Sequence, residues 1–273
     1  MIFLHILLFL ATIASTVFVG GYLYSFAIMA ILLCHEMGHY VMTRRYGIPS
    51  TLPFFIPLPL PPFGTFGAVI KMKGVVTDRK ALFDIGMAGP ISGFIVAVPL
   101  IIAGIKLSTF TKISGLPSPS YMQLGEPLLF TILEPLLVGE APKGYELMLH
   151  PLAYAGWVGL FVTSLNLLPV GQLDGGHIVY AVFGRHSKIV FYGVILALGI
   201  LAVLHNVGWF TLVILLMIFG RNHPKPLDEQ TVLDGRRKKL AVVMLVIFVL
   251  SFIPAPFPEM TLKNILHEGG LLR

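Results

Sequence analysis

Two histidines four residues apart stand inside a stretch too apolar for a water-facing surface. Residues 22–42 form a largely hydrophobic run that contains Cys34-His35-Glu36-Met37-Gly38-His39. At about 3.6 residues per turn, His35 and His39 fall one turn apart on one face of a helix, the spacing that lets two imidazoles share one metal ion. Glu36 lies beside them, a candidate general base for a water molecule at such a metal. Every residue from Phe26 to Leu33 is apolar, so the helix reads as membrane-embedded. Ionisable side chains at that depth are uncommon and point to function.

Composition supports a membrane setting. The chain has 273 residues, 56% hydrophobic and 12% charged, against roughly 25% charged in an ordinary soluble domain. The expected fold class is an all-α polytopic membrane protein, one membrane domain over 1–273, with the lipid bilayer as a partner. The net charge of +6 does not point to nucleic acid, because the cations cluster between apolar spans. The single cysteine, Cys34, excludes an internal disulfide and a cysteine-rich metal site.

About six to seven spans are expected. Residues 1–19 carry no Lys or Arg, unlike the basic start of a signal peptide, and read as a retained first span. Gly20-Gly21 makes a turn into the second span, which ends at Arg44-Arg45. Others follow at 82–105, 147–168, 189–203, 209–219 and 240–253. The last two are short against the roughly 20 residues a bilayer needs. In the third span Gly86, Gly89 and Gly93 predict close helix packing, and Asp84 reads as an interfacial cap or surface residue. A short helix is expected at 128–133 and another at 174–184. With the N-terminus inside, Lys106, Lys112, Lys143, Lys263 and Arg273 fall outside and the other 14 of the 19 Lys and Arg fall inside. The positive-inside rule favours that orientation. The expected location is the plasma membrane, with the His35 region opening toward the cytoplasm.

Between the second and third spans the chain changes character. Pro49, Pro53, Pro57, Pro59, Pro61 and Pro62 forbid a regular helix, yet the residues among them are apolar. A re-entrant β-hairpin or loop, buried against protein, accounts for both. Phe63 to Lys73 reads as extended. Gly64, Thr65, Phe66, Gly67 and Ala68 are candidate substrate-binding positions on a strand that accepts a peptide along its edge; the plainer alternative is a hairpin that only plugs the bundle.

Two histidines leave a catalytic zinc site short of its usual three protein ligands. Asp174 is the prominent carboxylate on the same membrane side, just after the helix break at Pro169 and Gly171, and is the expected third ligand. His177 is an alternative ligand or a hydrogen-bond partner to one. The expected cofactor is one Zn2+ per chain.

His35-Glu36-Met37-Gly38-His39, with Asn166-Leu167-Leu168-Pro169 and Leu173-Asp174-Gly175 further on, resembles the site-2 protease family of intramembrane zinc metalloproteases. Ala88-Gly89-Pro90 and Gly64 to Ala68 also resemble family features. The resemblance covers residues 20–185, the expected catalytic core; 187–254 are then additional C-terminal helices. It implies hydrolysis of a peptide bond in or near a transmembrane segment of a membrane protein substrate. His35, His39 and Asp174 would hold zinc, Glu36 would move the proton, and Asn166 would contact the substrate or the developing oxyanion. An ordinary interhelical hydrogen bond is the alternative for Asn166. Some family members carry PDZ or CBS domains; this chain is expected to be a compact form without them.

Two rival readings fit the sequence less well. Another membrane zinc protease would take its third ligand from a glutamate on a later helix, but Glu126 to Glu146 fall in the loop on the opposite side. A metal-binding scaffold or transporter without proteolytic activity would call for ligands strung along a path, whereas these converge at one depth.

Overall fold

A computed structural model of the chain describes residues 2–112, 123–220 and 225–258. Pro117, Pro119, Arg221, Lys263 and Arg273 lie outside the described residues.

The first helical element, α1 (Ile2–Arg45), takes non-helical angles at Gly21, with φ 78° and ψ 178°. It is two arms folded back on each other. Thr16 and Ser25 hydroxyls meet at 2.7 Å, although nine residues of straight helix would span about 13 Å. A non-glycine residue at that positive φ would be strained. The turn expected at Gly20-Gly21 is therefore present.

The proline-rich segment forms an antiparallel hairpin of β1 (Phe54–Pro57) and β2 (Thr65–Val69), with Phe55 opposite Ala68 and a register shift between Phe55 and Pro57. It is anchored to α1. His5 Nδ1 lies 3.1 Å from the Pro53 carbonyl, the Ser15 hydroxyl donates to Gly64 O, and the Tyr24 hydroxyl donates to Phe63 O at 2.6 Å. Phe55 is buried against Phe9. These contacts tie the hairpin to both arms of α1.

Helix α2 (Arg79–Leu107) starts at Asp78, whose carboxylate accepts from the Lys80 and Ala81 amides. The cap is therefore Asp78. Asp84 departs from its expected role: it is mostly covered and bound by Arg237, because a carboxylate facing inward needs a cation. Next come β3 (Thr109–Lys112), α3 (Leu128–Val138) and β4 (Tyr145–Met148); β3 and β4 pair antiparallel as a second two-stranded sheet, which the sequence does not announce.

Helix α4 (Pro151–Asn166) is shorter than the span expected there, and it is the buried centre of the bundle: Ala153, Ala155, Trp157, Val158 and Leu160 have almost no exposure. Among the described residues, the remaining α-helices are α5 (Asp174–Phe183), α6 (Ser187–Leu204), α7 (Gly208–Phe219) and α8 (Gly235–Ser251). Among the described residues, three helical stretches are long and apolar enough to cross a bilayer: Ile2–Arg45, Arg79–Leu107 and Asp174–Leu204. The protein is mostly helical and membrane-embedded.

Long-range contacts gather the cationic segments at one end. Arg79 at the start of α2 donates to Ala181 O and Val182 O at the end of α5, both at 2.9 Å, satisfying carbonyls the helix end leaves open. The start of α8 reaches the start of α2 and the residue after α1 through Arg237, Asp84 and Tyr46. At the other end Trp209 donates to Pro254 O and Asn206 to Phe257 O, each at 2.7 Å.

Candidate active site

The two histidines face α2 from the second arm of α1, and α2 is smooth where they meet it. A Cβ at Gly89 would fall inside the His39 imidazole. One at Gly93 would sit 3.2 Å from His35 Cβ and Nδ1, and one at Gly86 would sit 2.9 Å from His177 Cβ and 3.1 Å from Asp174 O. The three glycines expected to permit crowding thus line the site itself. On the facing side Gly38 would put a Cβ 2.6 Å from Ser92 Oγ.

Asp174 arrives from the far side of the sequence. α4 ends at Asn166, the chain turns through Leu168 N to Leu165 O and Leu173 N to Val170 O, and α5 begins at Asp174. A side chain at Gly175 or Gly176 would strike the carbonyls of residues 167–171. These glycines let α5 start directly against the end of α4, which keeps Asp174 close to Asn166.

His35 Nε2 and His39 Nε2 are 3.2 Å apart, and each is 3.3 Å from Asp174 Oδ2. Four tetrahedral ligands at about 2.05 Å from a zinc ion stand about 3.3 Å from one another, so the three atoms match one face of such a tetrahedron. His39 Nδ1 lies 2.8 Å from Ile85 O. A carbonyl only accepts, so Nδ1 carries the proton and Nε2 offers its lone pair to the shared point. Both histidines are buried, and the Asp174 side chain is 14% exposed. Two nitrogens and one carboxylate oxygen fit a metal ion of zinc type. Among the described residues these three are the one group of His, Cys, Asp and Glu so arranged.

Glu36 is 6% exposed, and the Ile70 backbone amide lies close enough to act on its carboxylate. Ile70 directly follows β2, so the hairpin reaches the base. Asn166 Nδ2 lies 3.3 Å from His35 Nε2, at the edge of the triangle. His177 is buried within electrostatic reach of Asp174 and His39 and lies outside the three-atom group. Gly64, just before β2, and Gly67, within it, have φ 74° and 93°, Thr65 is buried with its hydroxyl 3.0 Å from Ile56 O, and Phe66 is 72% exposed. A Cβ at Gly67 would meet nothing within 4 Å. Among the described residues β2 has β1 as its one strand neighbour. Sequence reasoning missed the Ile85 carbonyl and the Ile70 amide, since a backbone group leaves no mark in residue identity.

A helical membrane bundle with a buried two-histidine, one-aspartate triangle and an adjoining glutamate defines a metal-site class of protein. A profile of peptidase family M50 matches residues 23–215, and the chain belongs to that family. It is 33% identical over 236 residues to the probable zinc metalloprotease EGY1, chloroplastic, of Arabidopsis thaliana, covering 84% of this chain and 42% of that protein. It is 32% identical over 230 residues to the probable zinc metalloprotease EGY2, chloroplastic, of the same plant, covering 83% and 40%. The chain thus spans less than half the length of the curated relatives it matches. A site-2 protease from Methanocaldococcus jannaschii superposes with a TM-score of 0.35 at 17% identity, over 90% of this chain and 85% of that one, too loosely to define a shared fold. The chloroplast names of the relatives lend nothing to the plasma-membrane location expected from the sequence.

Proposed function

We propose that this chain is an intramembrane zinc metalloprotease that hydrolyses a peptide bond in or near a transmembrane segment of a membrane protein. The observation that carries this reading is the 3.2–3.3 Å triangle of His35, His39 and Asp174 with Glu36 against it. The names of the M50 relatives support it. No observation favours the scaffold or transporter.

His35, His39 and Asp174 would hold the zinc ion, which when bound supplies Lewis acidity to a water molecule and to the scissile carbonyl. Glu36 takes a proton from the attacking water as its oxygen bonds to the carbonyl carbon, and delivers that proton to the amide nitrogen as the C–N bond breaks. The Asn166 amide would donate to the carbonyl oxygen as it gains charge. Helical peptide bonds are hydrogen-bonded internally, so the substrate must unwind. The free edge of β2 at Gly64 to Ala68 receives the unwound stretch by strand pairing. Its continuation into Ile70, beside Glu36, supports that placement.

Residues 20–185 would form the catalytic core and 187–254 the additional helices. The two arms of α1 with α2, α4, α6, α7 and α8 would give seven spans, and the β1–β2 hairpin would enter the bilayer between them. The clustered cations would mark the cytoplasmic side, or its topological equivalent in an organelle, with the metal site opening there.

The decisive measurement is cleavage of a model transmembrane peptide by purified wild type and Glu36→Gln, with zinc measured in both. Wild type should contain one zinc and cleave; Glu36→Gln should keep the zinc and lose about 10²- to 10⁴-fold in rate. Undiminished turnover by Glu36→Gln would refute the assignment.

A further inference from the structure

Arg237 is the third residue of α8, beyond the stretch matched to the family. Its guanidinium forks onto Asp84 of α2, with Nε to Oδ1 at 2.8 Å and Nη2 to Oδ2 at 2.6 Å. Nη2 also donates to the Tyr46 hydroxyl at 3.3 Å, Tyr46 donates to Asp84 Oδ2 at 2.5 Å, and Nη1 holds Asp234, the N-cap of α8. The Arg237 and Asp84 side chains are 22% and 13% exposed. Burial, and then the Asp84 carboxylate, hold the Tyr46 hydroxyl above its ordinary pKa, so it stays protonated and donates. A planar fork fixes the direction of its partner in a way a single ammonium does not.

Two members of this cluster, Tyr46 and Asp84, lead to the metal triangle. Tyr46 follows the end of α1, two turns after His39. Asp84 directly precedes Ile85, whose carbonyl accepts a hydrogen bond from His39 Nδ1–H, and Ile85 precedes Gly86, which lies against Asp174 O and His177. α8 itself supplies no ligand. What it supplies is the cation that pulls the start of α2 onto the end of α1.

We propose that Arg237 is a positioning residue for the metal site: by clamping Asp84 and Tyr46 it fixes the Ile85 carbonyl that orients His39. The inference rests on reading His35, His39 and Asp174 as the zinc ligands. It gives α8 a part in supporting the active site.

The test uses the full chain loaded with cobalt(II), whose visible spectrum reports ligand geometry, alongside zinc affinity from competition with a chelator. Arg237→Gln leaves Asp84 without its cation; it should alter the cobalt bands and weaken metal binding about 10-fold, the lower end of the effect of removing an outer partner of a ligand. Arg237→Lys should not restore either, because one ammonium cannot hold both carboxylate oxygens and the Tyr46 hydroxyl. Tyr46→Phe should shift the bands less, in the same direction, and decides the matter with Arg237→Lys if Arg237→Gln does not fold. Trp209→Phe, which removes the bond to Pro254 O at the opposite end of the bundle, should leave spectrum and affinity as in wild type. A wild-type spectrum and affinity in the folded Arg237 and Tyr46 variants would overturn the inference, as would an equal disturbance by Trp209→Phe. Wild-type protein that binds neither cobalt nor zinc would instead overturn the zinc reading on which it rests.

Discussion

Adding one methyl group at Gly89 should unseat a metal ligand. An ideal Cβ there lies 2.6 Å from His39 Cε1 and closer still to Nε2, where carbon atoms rest at about 3.5–4.0 Å. The imidazole must therefore recede by about 1 Å, or α1 and α2 must part by a similar amount. A metal site tolerates only about 0.2 Å in its ligand distances. The His39 Nδ1 contact to Ile85 O, at 2.8 Å, would be lost with the shift. Forcing the helices apart costs about 1–3 kcal/mol of packing, which leaves most of the fold in place while the donor triangle opens. Gly89→Ala should thus keep wild-type helix content by circular dichroism and bind zinc at least about 10-fold more weakly, with cleavage reduced in step. Gly193→Ala is the matched control: it lies on α6, where an added Cβ meets nothing within 4 Å, and should leave zinc affinity unchanged. A folded Gly89→Ala protein with wild-type zinc affinity and turnover would show that His39 does not hold the metal from the position seen here.

Asp174→Asn keeps the size of the side chain and removes the only anionic donor; zinc per protein after dialysis should fall and cleavage should vanish. His177→Ala should cost about 10- to 100-fold in affinity or activity, and the opposite ranking of the two variants would make His177 the ligand. Gly67→Ala introduces a side chain at φ 93° into open space; about 1–3 kcal/mol of backbone strain should disturb β2 and lower kcat/KM on a peptide about 10-fold or more with zinc content intact, whereas unchanged kinetics would reduce the hairpin to a plug. In a Cys34→Ala background, an impermeant thiol reagent should label Gln230→Cys and Lys143→Cys from opposite sides of the membrane, with Gln230→Cys on the cation-rich side; labelling of both from one side would refute the orientation drawn from charge.

Local chemistry made much of this protein legible in its sequence. His35 and His39 are ligand candidates because a helix repeats every 3.6 residues or so, and the apolar run around them names the solvent. The prolines from Pro49 to Pro62 forbid a helix whatever surrounds them, and a two-stranded hairpin is what stands there. Asp174 was within reach because it follows a helix break on the same side as His39. Whether its oxygen meets both imidazoles depended on α2 lying between α1 and α5 with glycine at 86, 89 and 93, a matter of packing between distant elements. Asp84 shows the limit most plainly. By position it looked like a cap or surface residue, and it is instead held by Arg237 from the last described helix. The Ile85 carbonyl and the Ile70 amide were invisible for a related reason: every residue carries such groups, and only the folded chain decides which of them face His39 and Glu36. Sequence periodicity reports what a segment does alone; which segments become neighbours is set by the burial and pairing of the whole.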